Sequence, residues 1–310
     1  MQLRPPDEPI TLSAAVAAGF SKHDLRAMVR EGSLVRPFRG VYLPAELASD
    51  PKARVRALSL LVPSGTALAR ESAAWLHGID IRPPERFREP PRLECVSDSD
   101  LALNAIRRPE IRGSRGGLPA SDVVTVAGVP VTSPARTALD LARYAERYMG
   151  LAALDMFSHQ GLITLEEIGE RIAALPGQRW IARARSVHAL ADPRTELPGE
   201  SWTRLRLHEA GLPMPELQIR LRDGTGREVY RLDMGYLEHL LALEYDGEEH
   251  HRRTVEQARH DDARRSDIER RWGWRTFSFH AGDVLGWRPV VEATVIEVLG
   301  LPLVPARRRW

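Results

Sequence analysis

Residues 232–246, LDMGYLEHLLALEYD, hold two strand-length runs, and each carries acids in otherwise apolar company: Asp233 in the first, Glu244 and Asp246 in the second. If Glu238 and His239 form a two-residue hairpin loop, Leu237 lies opposite Leu240 and, counting outward, Asp233 lies opposite Glu244. Side chains alternate along a strand, so Glu244 and Asp246 share a face. Carboxylates at such separations repel, and each raises its neighbours' proton affinity unless a cation neutralises them. A hard divalent ion, Mg2+ or Mn2+, suits an all-oxygen donor set and can polarise a phosphoryl oxygen. The competing reading is a solvated sheet face with ordinary charges. The apolar run LLALEYD argues for burial instead, where acids without partners are costly.

The surrounding grammar predicts where this hairpin sits. A helix from about Pro198 to Ala210 ends at Gly211. Strand-like runs follow at 216–222, 227–237 and 240–246. A polar helix then runs from Thr254 to about Arg271 and stops at Gly273; the aromatic strand 274–279 and a helix from about Pro289 complete the order. Glu200 shares a helix face with Leu207 and can point at the sheet, or it is an N-terminal acid favoured by the helix dipole. His250, after the Asp246-Gly247 turn, can serve as a general acid or base, with His251 as its rival. Arg264 and Arg265 on the polar helix suit a phosphate backbone; a solvated helix stabilised by alternating charges is the plain alternative.

At 310 residues the chain is long enough for two or three compact units. Its single cysteine, Cys95, excludes an internal disulfide framework and fits a cytoplasmic protein. No stretch approaches the ~20 apolar residues that cross a bilayer. Lys22 and Lys52 are the only lysines, so almost all positive charge is arginine. Arginine suits phosphate and base recognition, although GC-rich coding would give the same bias. With a net charge of only +2, local placement must decide.

At the amino-terminal end placement is informative. Thr11 to Ala18 reads as a short helix ended by Gly19, and Ser21 caps a second, KHDLRAMVRE, closed by Gly32. Leu25, Met28 and Val29 form an apolar stripe, while Lys22, Arg26 and Arg30 repeat every four residues along another face. Arg36 and Arg39 then sit in a β-like SLVRPFRGVYLP. This is the layout of a winged helix-turn-helix, with the basic helix in the major groove and the wing on flanking phosphates. A solvated amphipathic helix pair would read similarly.

Between 51 and 190 the sequence predicts helices around a Pro-Ser-Gly break, a short strand at Leu93 to Val96 and a basic, Gly-rich connector at 104–122. Ser133 then caps a helix in which Arg136 and Asp140 pair at i, i+4, and TLEE at Thr164 opens another. His77 and Arg136 read as packed or capping groups.

The stretch ITLSAAVAAGFSKHDLRAMVREGSLVRPFRGVYLP resembles the winged-helix domain of AbiEi-family abortive-infection antitoxins, with Arg39 to Tyr42 as the closing Arg-Gly-Val-Tyr. SAAWLHG and VTSPARTALDLA resemble the segments that follow it there. ELPGESWTRLRLHEAGLPMPE, RLDMGY, LALEYDGEEHH, DDARR and GWRTFSF together resemble the endonuclease domain related to the very-short-patch repair nuclease, within the PD-(D/E)XK restriction-endonuclease-like superfamily. That resemblance implies Asp233 and Glu244 as metal ligands, Glu200 as the helix-borne acid, and Asp246 and His250 beside the metal. The sequence departs from the pattern twice: the usual lysine position is Asp246, and relatives often have glutamine where Glu249 stands.

The expected fold is α+β and multidomain: a winged helix-turn-helix at 1–50, a mixed α/β middle at 51–190, a restriction-endonuclease-like αβββαβ core at 195–300, and a basic tail at 301–310. The expected function is that of a DNA-binding protein with a Mg2+-dependent endonuclease-like domain hydrolysing phosphodiesters. The alternatives are a non-catalytic transcriptional regulator and an antitoxin that neutralises a toxin partner.

Overall fold

The computed structural model of the chain describes residues 4–48, 50–86, 92–100, 111–247 and 255–302. Its architecture is α+β, with three separate sheets among the described residues. The chain divides into two compact units, Met1–Gly78 with Pro91–Thr137, and Ile79–Pro90 with Ala138–Trp310, so the expected 51–190 segment is shared between them.

In the first unit, β1 (Ile10–Thr11) leads into α1 (Leu12–Ala17), with Thr11 as its N-cap, and α2 (Lys22–Arg30) follows after a four-residue turn. Gly19 sits in that turn at φ +93, a backbone state that side chains disfavour. The strands β2 (Leu34–Phe38) and β3 (Val41–Pro44) form a hairpin, and β1 pairs with β3 to give the order β1-β3-β2. Ala15, Phe20, Leu25, Leu34 and Tyr42 are the buried centre on which these elements close.

The rest of this unit comprises α3 (Pro51–Ser59), α4 (Arg70–Leu76) and a five-stranded mixed sheet. Its strands are β4 (Ala67–Leu68), β5 (Leu93–Ser97), β6 (Ile111–Arg115), β7 (Val123–Val126) and β8 (Val129–Thr132), in the order β6-β5-β4-β8-β7. Sequence reading expected a flexible connector at 104–122. Part of it, Ile111–Arg115, instead pairs in parallel with Leu93–Ser97, because the edge of β5 satisfies its backbone groups. Arg136 also has partners outside its own helix. It bonds Asp122 at 3.0 Å and the Gly117 carbonyl at 2.7 Å, and Asp140 lies 3.8 Å from Arg143. His77 is a packing group as expected, its Nε2 at 2.8 Å from the Thr132 carbonyl.

The division between units falls within α5 (Pro134–Tyr144). The second unit continues with α6 (Arg147–His159), α7 (Leu165–Ala173), α8 (Ile181–His188) and α9 (Pro198–Glu209). Its sheet has β9 (Glu216–Arg222), β10 (Glu228–Tyr236), β11 (Leu241–Tyr245) and β12 (Arg275–Phe279) in the order β12-β11-β10-β9, with β12 parallel to β11 and the other neighbours antiparallel. Between β11 and β12 runs α10 (Val255–Trp272), and α11 (Ala281–Leu285) and α12 (Val290–Leu299) close the unit. Ile219, Leu221, Leu232, Ala242, Ile268 and Trp274 form the core between α10 and the sheet.

Helix α9 is buried along its length from Gly199 to Leu207, including Glu200, Arg204 and Arg206. Proline at its start supplies a fixed φ where no N–H is needed. Gly199 is required by contact: a Cβ there would lie 2.1 Å from the Tyr245 ring, which also packs edge-on against Trp202 at 5.8 Å. The absence of that one carbon lets α9 rest directly on β11, which sets Glu200 against the hairpin acids.

Candidate functional site

Two groups of residues can carry chemistry. The first is on α2. Ser21 and Asp24 form a reciprocal capping box, the Asp24 N–H donating to Ser21 Oγ at 3.1 Å and the Ser21 N–H to Asp24 Oδ2 at 2.8 Å. The box fixes where the helix begins, and fully buried Leu25 fixes how it is rotated. Lys22, Arg26 and Arg30 are consequently all exposed along the outer face. Arg36 is exposed within β2, and Arg39 is exposed in the turn of the β2–β3 hairpin beside Gly40. Five cations thus lie on one small element cluster, each where a phosphate could reach it.

The second group is on the acidic hairpin. Met234 pairs with Leu243, Gly235 with Ala242 and Tyr236 with Leu241, the register derived from the sequence. The turn differs. In place of a two-residue loop, Leu237–His239 makes a single 3-10 turn and Leu240 takes a left-handed conformation at φ +47. The four-residue link keeps the same register because both versions place equal numbers of residues on each side.

Asp233 Oδ2 accepts from the Tyr245 N–H at 3.3 Å. Burial first, and then the charge of Glu244, push the Asp233 carboxyl up to about 6. Burial and then the charge of Asp233 push Glu200 up to about 8, although its Oε2 accepts from the Glu196 N–H at 3.1 Å. The structure therefore couples three acids, Glu200, Asp233 and Glu244, that come from a helix and two strands. Glu244 also has a partner that sequence reading did not assign: both its oxygens accept from Arg264 Nη1, at 2.8 and 2.9 Å.

Asp246 lies at the end of β11. Its N–H donates to the Phe279 carbonyl at 2.8 Å, and its Oδ2 is 3.9 Å from His280 Nδ1. His280 was missed because only the parallel pairing of Tyr245 with Phe279 brings it alongside. Arg265 is bonded to Ser278 Oγ at 3.0 Å and lies 3.7 Å from Asp262. His250, together with its rival His251 and with Glu249, lies outside the described residues.

An all-oxygen donor set suits a hard cation, but the described side chains do not fit one as they stand. Arg264 engages both oxygens of Glu244, and among the described residues no group of three or more His, Cys, Asp or Glu side chains is disposed to hold a metal ion. No described helix is long and apolar enough to cross a membrane.

Two family models match the chain: residues 8–45 match the model described as a transcriptional regulator, AbiEi antitoxin, and residues 65–189 the AbiEi antitoxin C-terminal domain. The uncharacterized proteins MT2308 and Rv2248, from two strains of Mycobacterium tuberculosis, are each 30% identical over 265 residues, covering 86% of this chain and 92% of the relative. The chain belongs to the family of these mycobacterial proteins and carries both AbiEi antitoxin domains. The regulator-type AbiEi match spans β1 to β3, including the whole of α2 with its three exposed cations. The C-terminal AbiEi match runs from the strand before β5 through α8. The acids from Glu200 to Asp246 lie beyond both AbiEi matches.

Proposed function

We propose that the protein is a DNA-binding regulator in which Leu12–Pro44 acts as a winged helix-turn-helix. The observation that carries this reading is the arrangement of α2: Leu25 is wholly buried, while Lys22, Arg26 and Arg30 stand exposed. The helix lies in the major groove and the β2–β3 hairpin, with Arg36 and Arg39, rests on adjacent phosphates. The AbiEi regulator match over the same residues supports it. Binding to a labelled duplex from upstream of the protein's own coding sequence tests it. Replacing Lys22, Arg26 and Arg30 together by glutamine should weaken binding at least tenfold and flatten its salt dependence. Unchanged affinity in a folded variant would sink the reading.

The C-terminal unit supports a second reading, a restriction-endonuclease-like core that hydrolyses phosphodiesters with Mg2+ or Mn2+. The favouring observation is the electrostatic coupling of Glu200, Asp233 and Glu244, in the element order expected for that core. Nicking of supercoiled DNA that disappears on Asp233→Ala would support hydrolysis. No nicking by the wild type with either metal would leave the regulator alone. A toxin partner, the third possibility, would be sought by co-purification.

A further inference from the structure

We propose that Trp180, with Arg179, Arg183 and Arg185 around it, is a stacking site for the unpaired bases of a single-stranded nucleic acid. The site lies in the second unit and needs neither the winged helix nor the acidic hairpin, so it stands apart from both readings above.

Trp180 is the N-cap of α8 and takes a left-handed backbone, φ +63 and ψ 11, with no side-chain hydrogen bond to the helix. Large side chains disfavour that state, and glycine, which has no ring to present, would meet it at less cost. Other groups hold the tryptophan in place. Buried Arg143 donates from Nε and Nη2 to the Arg179 carbonyl, at 3.2 and 3.0 Å, and so clamps the peptide that enters Trp180. The next residue, Ile181, is buried and roots the start of α8. Arg183 Nη1 donates to the Ala145 carbonyl at 2.7 Å. The backbone is thus fixed on both sides of an indole that stays 45% exposed.

The surroundings of the ring select its ligand. The guanidinium carbons of Arg183 and Arg179 lie 4.8 and 5.5 Å from its centroid, and Arg185 is exposed further along α8. A second aromatic, Tyr144, 37% exposed, adjoins the same clamp, with the Arg143 guanidinium 4.8 Å from its centroid. From Arg171 to Ala191 the sequence has four arginines, one histidine and no acid. Exposed rings among cations match a ligand that alternates flat π-faces with negative charges. A base stacks on the indole, and the adjoining phosphates meet Arg179 and Arg185. A duplex keeps its base faces covered, so the strand must be unpaired. Tryptophan and arginine also mark protein–protein hot spots, but the acid-free run favours a polyanion.

Fluorescence anisotropy tests this with labelled single strands of about 12 nucleotides, one DNA and one RNA, and a DNA duplex of the same length. The protein is the full chain with Lys22, Arg26 and Arg30 replaced by glutamine, so that α2 does not contribute, in EDTA so that no metal-dependent cleavage intervenes. The single strands should bind more tightly than the duplex, and the tighter of the two identifies the ligand. Trp180→Gly, which suits the left-handed backbone, should weaken them about tenfold, the loss of one stacked base. Trp180→Phe should keep most of the affinity. Arg179→Gln with Arg185→Gln should flatten its salt dependence. Circular dichroism checks that each variant is folded. No single-strand binding, single strands that bind no better than the duplex, or unchanged affinity in Trp180→Gly would each overturn the site. A phenylalanine variant as weak as the glycine one would overturn stacking as its source.

Discussion

Arg204 Nη1 donates to Asp155 Oδ2 across 2.9 Å, with both side chains buried, and so ties α9 to α6. The Ser201 hydroxyl and the Asp192 N–H also donate to Asp155, at 2.7 and 2.8 Å. Burial nevertheless pushes this carboxyl up to about 6, against the pull of Arg204. Removing the guanidinium strands a buried charge, a loss of about 3–5 kcal/mol. Arg204→Met should therefore unfold much more easily than the wild type at pH 8. The deficit should shrink at pH 5, where Asp155 takes up a proton. Thermal melts at the two pH values check this, and an equal deficit at both would contradict it.

Glu200 gives a pH dependence of determinate sign. Its carboxyl ordinarily titrates at 4.5 and is pushed up to about 8 in the fold, chiefly by burial. The folded protein holds this proton more tightly than the unfolded chain. The resulting stability is fully present below pH 4.5 and is lost as the pH rises through about 8. Glu200→Gln, which keeps an oxygen for the Glu196 N–H, should flatten the decline in denaturation midpoint between pH 5 and 9.

Gly199→Ala should destabilise the protein even though alanine is the better helix former. The added carbon meets the Tyr245 ring at 2.1 Å, and overpacking of this sort costs about 1–3 kcal/mol. Tyr245→Leu in the same chain should recover part of the loss, a coupling that a double-mutant cycle in urea would measure.

Ser21→Ala should remove half of the reciprocal box at the start of α2, costing about 1 kcal/mol. Since no cation is touched, DNA affinity should drop modestly while the slope of affinity against salt stays that of the wild type. A changed slope would mean that Ser21 acts on the charges themselves.

Local grammar made much of this structure legible. Pro198 and Gly211 bracket α9, Ser21 and Thr164 cap their helices, and the alternation in 232–246 yields the hairpin register. What escaped were partners that only tertiary structure brings close. Arg264 reaches Glu244 from a helix twenty residues on, Arg136 reaches Asp122 in a neighbouring turn, and His280 meets Asp246 through a parallel strand pair. The arginines of α9 carried no local signal of their role. Arg204 and Arg206 are buried with Glu200 because each finds polar partners in the fold.

Arg206 carries that last point into the order in which the unit can assemble. Its guanidinium donates to Glu292 and to the backbone carbonyls of Asp283, Val284, Gly286 and Arg288, so it caps a five-residue helix too short to persist by itself. Every one of these acceptors is made about eighty residues after the arginine they satisfy. During synthesis at ~5–20 residues per second, α9 therefore waits several seconds with an unmatched charge at its centre. The surroundings of Arg206 are therefore complete only after residues 283–292 have emerged.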